Sequence, residues 1–551
     1  MTANIFTLSI KGHNIKKTKP LRMKEEAPGT ALKPLVFRVD ESTPRVVQSV
    51  LLERGWDKFD EQRQDVEDWN LYWRSSSFRM AEHVNVKPWQ RLNHHPGTTT
   101  LTRKDCLAKH LAHMRRLYGE ALYEFTPLTF IMPNDYTKFV AEYFKEKQVL
   151  GTKPSYWICK PAELSRGRGI VIFSDIRDLI FKGTSYVVQK YICNPFLVGR
   201  YKCDLRIYVC VTGFRPLTIY MYQEGLVRFA TEKFDLSNLQ DYYAHLTNSS
   251  INKSGVSYQK IKEVVGQGCK WTLSRFFSYL RNWDVDDLLL RQKINRMVIL
   301  TVLAVAPSVP VASNCFELFG FDILIDENLK PWLLEVNYSP ALTLDCSTDV
   351  SVKRNLVHDI IELIYLNGLR SEEEKCSVAS LGSAKVSLGG CQRELRTAPN
   401  SPPYISLIHS PPYMSLIQFA SRRSSKSSPA VQRAHVRVWP KHTRTSKLRE
   451  MMNRQDLLLT REAAKSKPKL KAWRTPHKVL AQSEPHKTKR PGPAGVLPDA
   501  GHAPNDHAGN FVLIFPFNEA TFGASRNGLN VKRIIQELQK LMNKQLSSDK
   551  S

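Results

Sequence analysis

No apolar stretch in this 551-residue chain reaches the roughly 18 residues needed to cross a bilayer. The longest, "MVILTVLAVA" (Met297 to Ala306), reads as a buried helix instead. The opening "MTANIFTLSIKGHNIKKTKP" has no apolar core of signal-peptide length. The ten cysteines form no CxxC pair and no regular spacing, so a zinc pattern is missing and reduced thiols are expected. Acids are scarce: 52 Asp and Glu against 80 Lys and Arg leave a net charge of +28. An acidic partner is therefore the default, whether nucleic acid, anionic membrane or acidic protein. No recognition helix or stacking-sheet motif supports nucleic acid. These absences describe an intracellular, soluble chain with neither a membrane nor a nucleic-acid partner.

What is present begins after residues 1–33, a basic and patternless stretch. From "PLVFRVDESTPRVVQSVLLERGW" to about Gly368, apolar runs of strand and helix length alternate, which predicts an α/β or α+β body. Inside it, "LTRKDCLAKHLAHMRRLYG" predicts an amphipathic helix with Thr102 and Asp105 near its start. "FTPLTFIMP" predicts a strand, and "NDYTKFVAEYFKEK" a helix opened by an Asn or Asp cap. After "SEEEKCSVASLGSAKVSLGG" the composition changes. "SPPYISLI" and "SPPYMSLI" repeat within 399–418. Residues 421–490 hold roughly 20 Lys and Arg against about four acids, a block expected to stay largely disordered. Near the end, "FVLIFPF" predicts a strand and "NVKRIIQELQKLMNKQL" an amphipathic helix. Both read as an appendage to the body.

The stretch "CFELFGFDILIDENLKPWLLEVN" has two apolar runs around "DENLK", the pattern of a hairpin with a short turn. A turn centred between Asn328 and Leu329 sets Asp322 opposite Glu335, with Asn337 one step along on the same face. Opposed like charges destabilise a sheet. A hard divalent cation on oxygen ligands removes that problem, and Mg²⁺ is the expected occupant. The alternative is a solvent-facing polar strand with the register off by one.

Upstream, "SYWICKPAELSRGRGIVIF" sets Lys160 at the end of a strand, before a loop with Gly167 and Gly169. Glycines let backbone N–H groups approach phosphate oxygens, and lysine adds a charge. The loop joins two strands, so it is neither a Walker loop nor a dinucleotide fingerprint. "YKCDLRIYVCV" alternates: Cys203, Leu205, Ile207, Val209 and Val211 form an apolar face, opposite Lys202, Asp204 and Arg206. That polar face is either an exposed salt-bridged surface or a site for triphosphate and metal. "HLTNSSINK" reads as a polar loop.

Taken in order, "KP" at Lys160, "RGRGI" at Arg166, "QKYI" at Gln189, "KCDLR" at Lys202, "HLTNSSINK" at His245, "FELFGFDILID" and "LLEVNYSP" resemble the tubulin–tyrosine-ligase-like family, closest to its glutamate-adding branch. The resemblance runs from about Phe37 to Gly368. It implies an ATP-grasp fold of α/β (α+β) class, preceded by a small N-terminal α/β domain and followed by a basic, mostly disordered C-terminal tail. The implied divisions are 1–33, 34–150, 151–368, 369–510 and 511–551.

The resemblance implies that ATP, a co-substrate with Mg²⁺ as cofactor, phosphorylates a γ-carboxyl in an acidic tubulin tail, which the α-amine of free L-glutamate then attacks. It places Lys160, Arg166 and Gly167 at the phosphates, and Gln189, Lys190, Tyr191 and Ile192 beside the adenine. Lys202, Cys203, Asp204, Thr247 and Asn248 complete the nucleotide shell. Asp322, Glu335 and Asn337 hold the metal. Arg206 stabilises the transferring phosphoryl group, and Arg166 joins it as a catalytic residue. Arg228, Ser249, Ser250 and Lys270 meet the free glutamate.

Arginine at 166 resembles members that start a branch, because it can pair with the acceptor's carboxylates. Two positions depart from the family: Ser249 replaces its usual tyrosine, and Tyr338 a frequent histidine. The expected setting is the cytoplasmic cytoskeleton, cilium or flagellum included, with an accessory subunit for full activity. A glycine ligase of the same family and a non-catalytic microtubule-binding pseudo-enzyme are the competing readings.

Overall fold

The computed structural model describes residues 34–179, 185–265, 269–312, 314–382, 504–526 and 528–548. The N-terminal basic stretch, the duplicated segment and the basic block at 421–490 lie outside the described residues. Among the described residues the strands form three sheets.

The first is parallel: β1 (Val36–Val39), β2 (Asp57–Lys58), β3 (Leu71–Trp73) and β4 (Arg91–Leu92), in the order β2-β1-β3-β4. Parallel neighbours need a crossover. The helix Arg45–Glu53 supplies it and buries Val46, Val47, Val50 and Leu51 on one face. The second sheet is antiparallel: β5 (Thr129–Met132), β6 (Trp157–Pro161), β7 (Val171–Phe173) and β8 (Tyr186–Lys190), in the order β5-β8-β6-β7. Phe139 and Tyr143 of the helix Tyr136–Leu150 pack beneath it against Trp157 and Phe173. Asp135 occupies the cap position, but its side chain accepts from no backbone N–H of the first turn. Its carboxylate accepts from the Ile131 N–H at 3.0 Å and from Lys138 at 2.8 Å.

The third sheet carries the site. It contains β9 (Leu197–Val198), β10 (Tyr201–Phe214), β11 (Leu217–Lys233), β12 (Lys270–Thr272), β13 (Glu317–Ile325), β14 (Pro331–Tyr338), β15 (His507–Ala508) and β16 (Phe511–Phe515). Its main path is β14-β13-β10-β11-β16-β15, with β12 also on β11 and β9 on β10. The alternation in β10 holds. Cys203, Leu205, Ile207, Val209 and Val211 enter the main core beneath the helix Asp287–Val305. In that helix every residue from Met297 to Val305 is buried, as the apolar run predicts, and each large aliphatic side chain contributes about 1.5–3 kcal/mol. Asp286 caps it by accepting from the Leu288 and Leu289 N–H groups at 3.0 and 3.2 Å. On the other face of β10, Tyr208 and Cys210 pack with Leu356, Val357 and Ile360 of the helix Ser347–Gly382. The polar residues of that face are thus confined to one end.

The C-terminal strand and helix are part of the body and not an appendage. β16 pairs with β11 from Ile219↔Phe515 to Tyr222↔Phe511, covering backbone groups that would otherwise form an open edge. The helix Val531–Ser548 buries Ile534, Ile535 and Leu538 in the main core. The helix Ser347–Gly382 also continues through Gly368, where the alternation of apolar runs and the resemblance end. No helix among the described residues is long and apolar enough to cross a membrane.

Candidate active site

β13 and β14 form the expected ribbon and Asp322 stands opposite Glu335, but the pairs beside the turn, Ile325↔Pro331 to Ile323↔Leu333, centre it on Asn328, and an irregularity between Asp322 and Ile323 brings the two acids into register. Asp326 closes the turn. Its Oδ1 accepts from the N–H groups of Asn328 and Lys330, each at 2.9 Å, and its Oδ2 accepts from Trp332 Nε1 at 2.9 Å. Asp322 and Glu335 line one cleft, together with Lys160, Arg166, Gly167, Lys202, Thr247 and Asn248. Gln189, Lys190, Tyr191, Ile192, Asp204 and Arg228 complete the expected residues along its wall.

The polar face is buried, so the exposed-surface alternative fails: Asp204 and Asp322 are each 2 % exposed and Arg206 8 %. Charges this deep persist only when paired. Register supplies the pairs. Arg206 stands opposite Asp322, and its Nε and Nη2 donate to that carboxylate at 2.5 and 3.0 Å. One step along, Asp204 stands opposite Arg228, which donates to it through Nε at 2.8 Å and reaches Asp322 at 2.8 Å. Arg228 in turn stands opposite Lys270, whose ammonium meets the buried Asp349 at 2.7 Å. Burial alone would raise the Asp322 carboxyl, but the Arg206 and Arg228 charges outweigh it and hold it far below the usual range. Gly320 lets Arg206 lie there, because an added Cβ would come within 3.0 Å of its Cδ.

Facing this row is the strand-to-strand loop between β6 and β7. Lys160 donates to Gln189 Oε1 at 2.9 Å, and Gln189 donates onward to Thr129 at 2.8 Å. Lys202 donates to the Tyr191 hydroxyl at 2.9 Å, and that hydroxyl meets His245 Nδ1 at 2.9 Å. Burial pushes the Lys160 amine down to about 8 and the Lys202 amine down to about 7, with the Lys104 charge adding to the fall at Lys160 and the Lys160 charge to that at Lys202. Both would gain from an anion. Gly167 has φ +77°, and a Cβ there would sit 2.3 Å from Ile251 Cδ1, so this turn needs glycine. The wall carries seven cations (Lys104, Lys160, Arg166, Arg168, Lys190, Lys202, Arg228) against three carboxylates (Asp204, Asp322, Glu335), which selects an anionic ligand.

Several expected residues stand elsewhere. The Cys203 side chain lies in the main core on the opposite face of β10, as its own alternation requires. Arg206 sits behind Asp322 and outside the lining. Ser250 is exposed, with its hydroxyl 3.5 Å from the Arg166 carbonyl, and Ser249 opens the adjoining turn Ser249–Asn252. Lys270 is committed to Asp349, and the Lys190 ammonium turns to Glu146 and Ser155. Tyr338 stacks on His94 at 4.3 Å and 14°.

Among the described residues no three His, Cys, Asp or Glu side chains cluster as a metal site. A cation would rest on Asp322, Glu335 and the Asn337 amide, a hard oxygen set that fits Mg²⁺. Asn337 Nδ2 donates to the Gly320 carbonyl at 3.2 Å, so Oδ1 is the atom it would offer a cation, although Asn337 does not itself line the cleft. Asp322 can serve the arginines and a metal together, since a carboxylate offers about four lone-pair positions.

Lys104 and His245 also line the site, and neither receives a role from the sequence, although His245 opens the "HLTNSSINK" stretch. Lys104 reads as the start of an amphipathic helix, and His245 as part of a polar loop.

The tubulin-tyrosine ligase family matches residues 79–374. The chain is 77 % identical over 549 residues to the probable tubulin polyglutamylase TTLL2 of Mus musculus, covering 99 % of this chain and 98 % of that one. It is 70 % identical to the Homo sapiens TTLL2 over 97 % of this chain and 89 % of the relative. Tubulin monoglutamylase TTLL4 of Homo sapiens is 34 % identical over 66 % of this chain and 30 % of its own length. The matched span contains the opposed acids, the lysine loop and the cross-strand row alike, and on that agreement of sequence and site the chain belongs to the tubulin-tyrosine ligase family.

Proposed function

We propose that this chain is a tubulin polyglutamylase. It joins free L-glutamate, through its α-amine, to γ-carboxyls in acidic protein tails, using ATP and Mg²⁺, and it starts branches. The relatives are named for glutamylation of tubulin. The observation that carries the reading here is the opposed pair Asp322 and Glu335 facing Lys160, Lys202 and the Gly167 turn across one cavity.

In this reading the triphosphate lies along Lys160, Lys202 and the Gly167 backbone. The adenine lies beside Gln189 to Ile192, and Thr247 and Asn248 close the shell with Asp204. Mg²⁺ held by Asp322, Glu335 and Asn337 would neutralise the β- and γ-phosphates. An acceptor carboxylate oxygen attacks the γ-phosphorus and the bond to the ADP oxygen breaks. The glutamate amine then attacks the acyl carbon, phosphate leaves, and the nitrogen gives up its proton. Arg166 lines the cavity, where its guanidinium can hold the acceptor's carboxylates while the reaction begins. Arg206 acts through Asp322, which it orients. Arg228 and Lys270 already hold Asp204, Asp322 and Asp349, so they favour glutamate over glycine only where a substrate carboxylate displaces one of these acids.

Mass spectrometry of tubulin tails after incubation with protein, ATP and either amino acid tests the reading. Single glutamates on γ-carboxyls support it. Glycine adducts, or no adduct with intact nucleotide binding, would replace it with the glycylase or the pseudo-enzyme. The basic block outside the described residues would add diffuse attraction to acidic tails, in a cytoskeletal setting, with a partner subunit completing activity. Brisk modification of microtubules by the purified chain alone would remove the partner.

The buried lysines predict a pH dependence. Their folded values, about 8 and about 7, lie below the ordinary 10.5. A triphosphate favours the ammonium forms, so binding takes up protons once the pH exceeds these values. Mg²⁺-ATP affinity should therefore fall as pH rises from 7 to 9.5, by up to about tenfold per unit for each proton taken up. Calorimetry in buffers of different ionisation enthalpy measures that uptake, and Lys160→Met should flatten the fall above pH 8.

A further inference from the structure

We propose that Lys104 is a placeholder for the metal, holding Glu335 in the nucleotide-free enzyme and passing to the phosphates when the metal arrives. The inference rests on the ATP- and Mg²⁺-dependent reading above. Lys104 is the first residue of the helix Lys104–Tyr118, far in sequence from the ribbon. Its ammonium lies 3.3 Å from Glu335 Oε2 and donates to the Leu164 carbonyl at 3.0 Å. Leu164 stands just before the Arg166–Gly167 turn. One cation thus ties the phosphate loop to an acid that the metal would need.

The two opposed acids differ in how they are neutralised. Asp322 has Arg206 and Arg228. Glu335 has Lys104 as its ion-pair partner among the described residues, with the Lys160 ammonium also close enough to feel its charge. A divalent cation arriving on Glu335 repels the ammonium, and the nearest new anions are the phosphates that come with it. Lys104 can reach both stations, because it lines the same cleft as Lys160, Lys202 and the Gly167 turn, and its side chain is 13 % exposed. A four-carbon stem bearing a point charge suits two stations.

The test titrates Mn²⁺ alone into the full-length chain, read by its paramagnetic resonance, and titrates a non-hydrolysable ATP analogue separately. Lys104→Met should bind Mn²⁺ about fivefold tighter, because the metal no longer breaks an ion pair. It should bind the analogue with Mg²⁺ more weakly, because a phosphate contact is gone. A residue with only a structural role would not move these two affinities in opposite directions. Lys104→Arg, which keeps the charge, should restore wild-type Mn²⁺ affinity. If both variants tighten Mn²⁺ alike, or Lys104→Met leaves it unchanged while Glu335→Gln loses it, the placeholder is wrong and the metal assignment stands. If Glu335→Gln binds Mn²⁺ as well as wild type, the metal assignment itself has failed.

Discussion

Glu335→Gln is expected to abolish Mg²⁺-dependent nucleotide binding in calorimetry and to lower ligation by about a thousandfold, a loss typical of removing a main electrostatic element at a reacting centre. The fold should barely register the change. Glu335 lies at the cavity wall with its side chain 23 % exposed, and its ion pair is with Lys104 at 3.3 Å. Partly exposed pairs contribute about 1 kcal/mol or less, so the urea midpoint should shift little. Glutamine keeps the shape and the register opposite Asp322. It removes only the charge and one of the oxygens a hard cation requires. Unaltered binding of Mg²⁺-ATP in this variant would remove the metal from the ribbon.

Asp322→Asn should behave in the opposite way, with a large stability loss in addition to lost ligation. Arg206 and Arg228 both lean on this carboxylate, with side chains only 10 % and 9 % exposed. Removing one member of a buried ion network leaves uncompensated charge and costs about 3–5 kcal/mol. Denaturant unfolding of the isosteric variant measures this directly. Adding Arg206→Met, which removes the guanidinium that pairs with Asp322 and leaves the Arg228–Asp204 pair intact, should recover part of the stability but none of the activity, since the negative charge at the metal position stays missing. A shift below about 1 kcal/mol would mean that the arginines reach water or other partners, and the network would then not be what holds the sheet's polar end together. One carboxylate thus serves both stability and the site, and its opposite number serves the site alone.

The difference between the two acids was not legible in the sequence, where "FDILID" and "LLEVN" look equivalent. Nor was the answer to whether Lys202, Asp204 and Arg206 face water. Alternation sorts side chains into two faces, but it does not say what covers each face. The covering elements come from distant parts of the chain, the lysine loop and the short turns at 242–252 among them. The same reason hid Lys104, a helix-start residue until the helix is laid against β14. It also hid the neutralisation of Arg228 and Lys270, whose partners Asp204 and Asp349 sit on other elements. The helix start at Asn134 or Asp135 was legible in the right place, but Asp135 caps no N–H of the helix and turns its carboxylate to the Ile131 N–H and the Lys138 ammonium instead.

By itself the sequence determined the periods: the strand alternation of β10, the buried helix under it, the glycine turn after Lys160, and the hairpin that brings Asp322 and Glu335 onto neighbouring strands, though not the bulge that sets them opposite each other. These depend on interactions within a few residues, where turn geometry and apolar spacing leave few alternatives. Only the tertiary structure decided which charges are spent on each other and which remain for a ligand. Ion pairs in a dry interior depend on distance in space and on the water excluded by elements that local sequence cannot see.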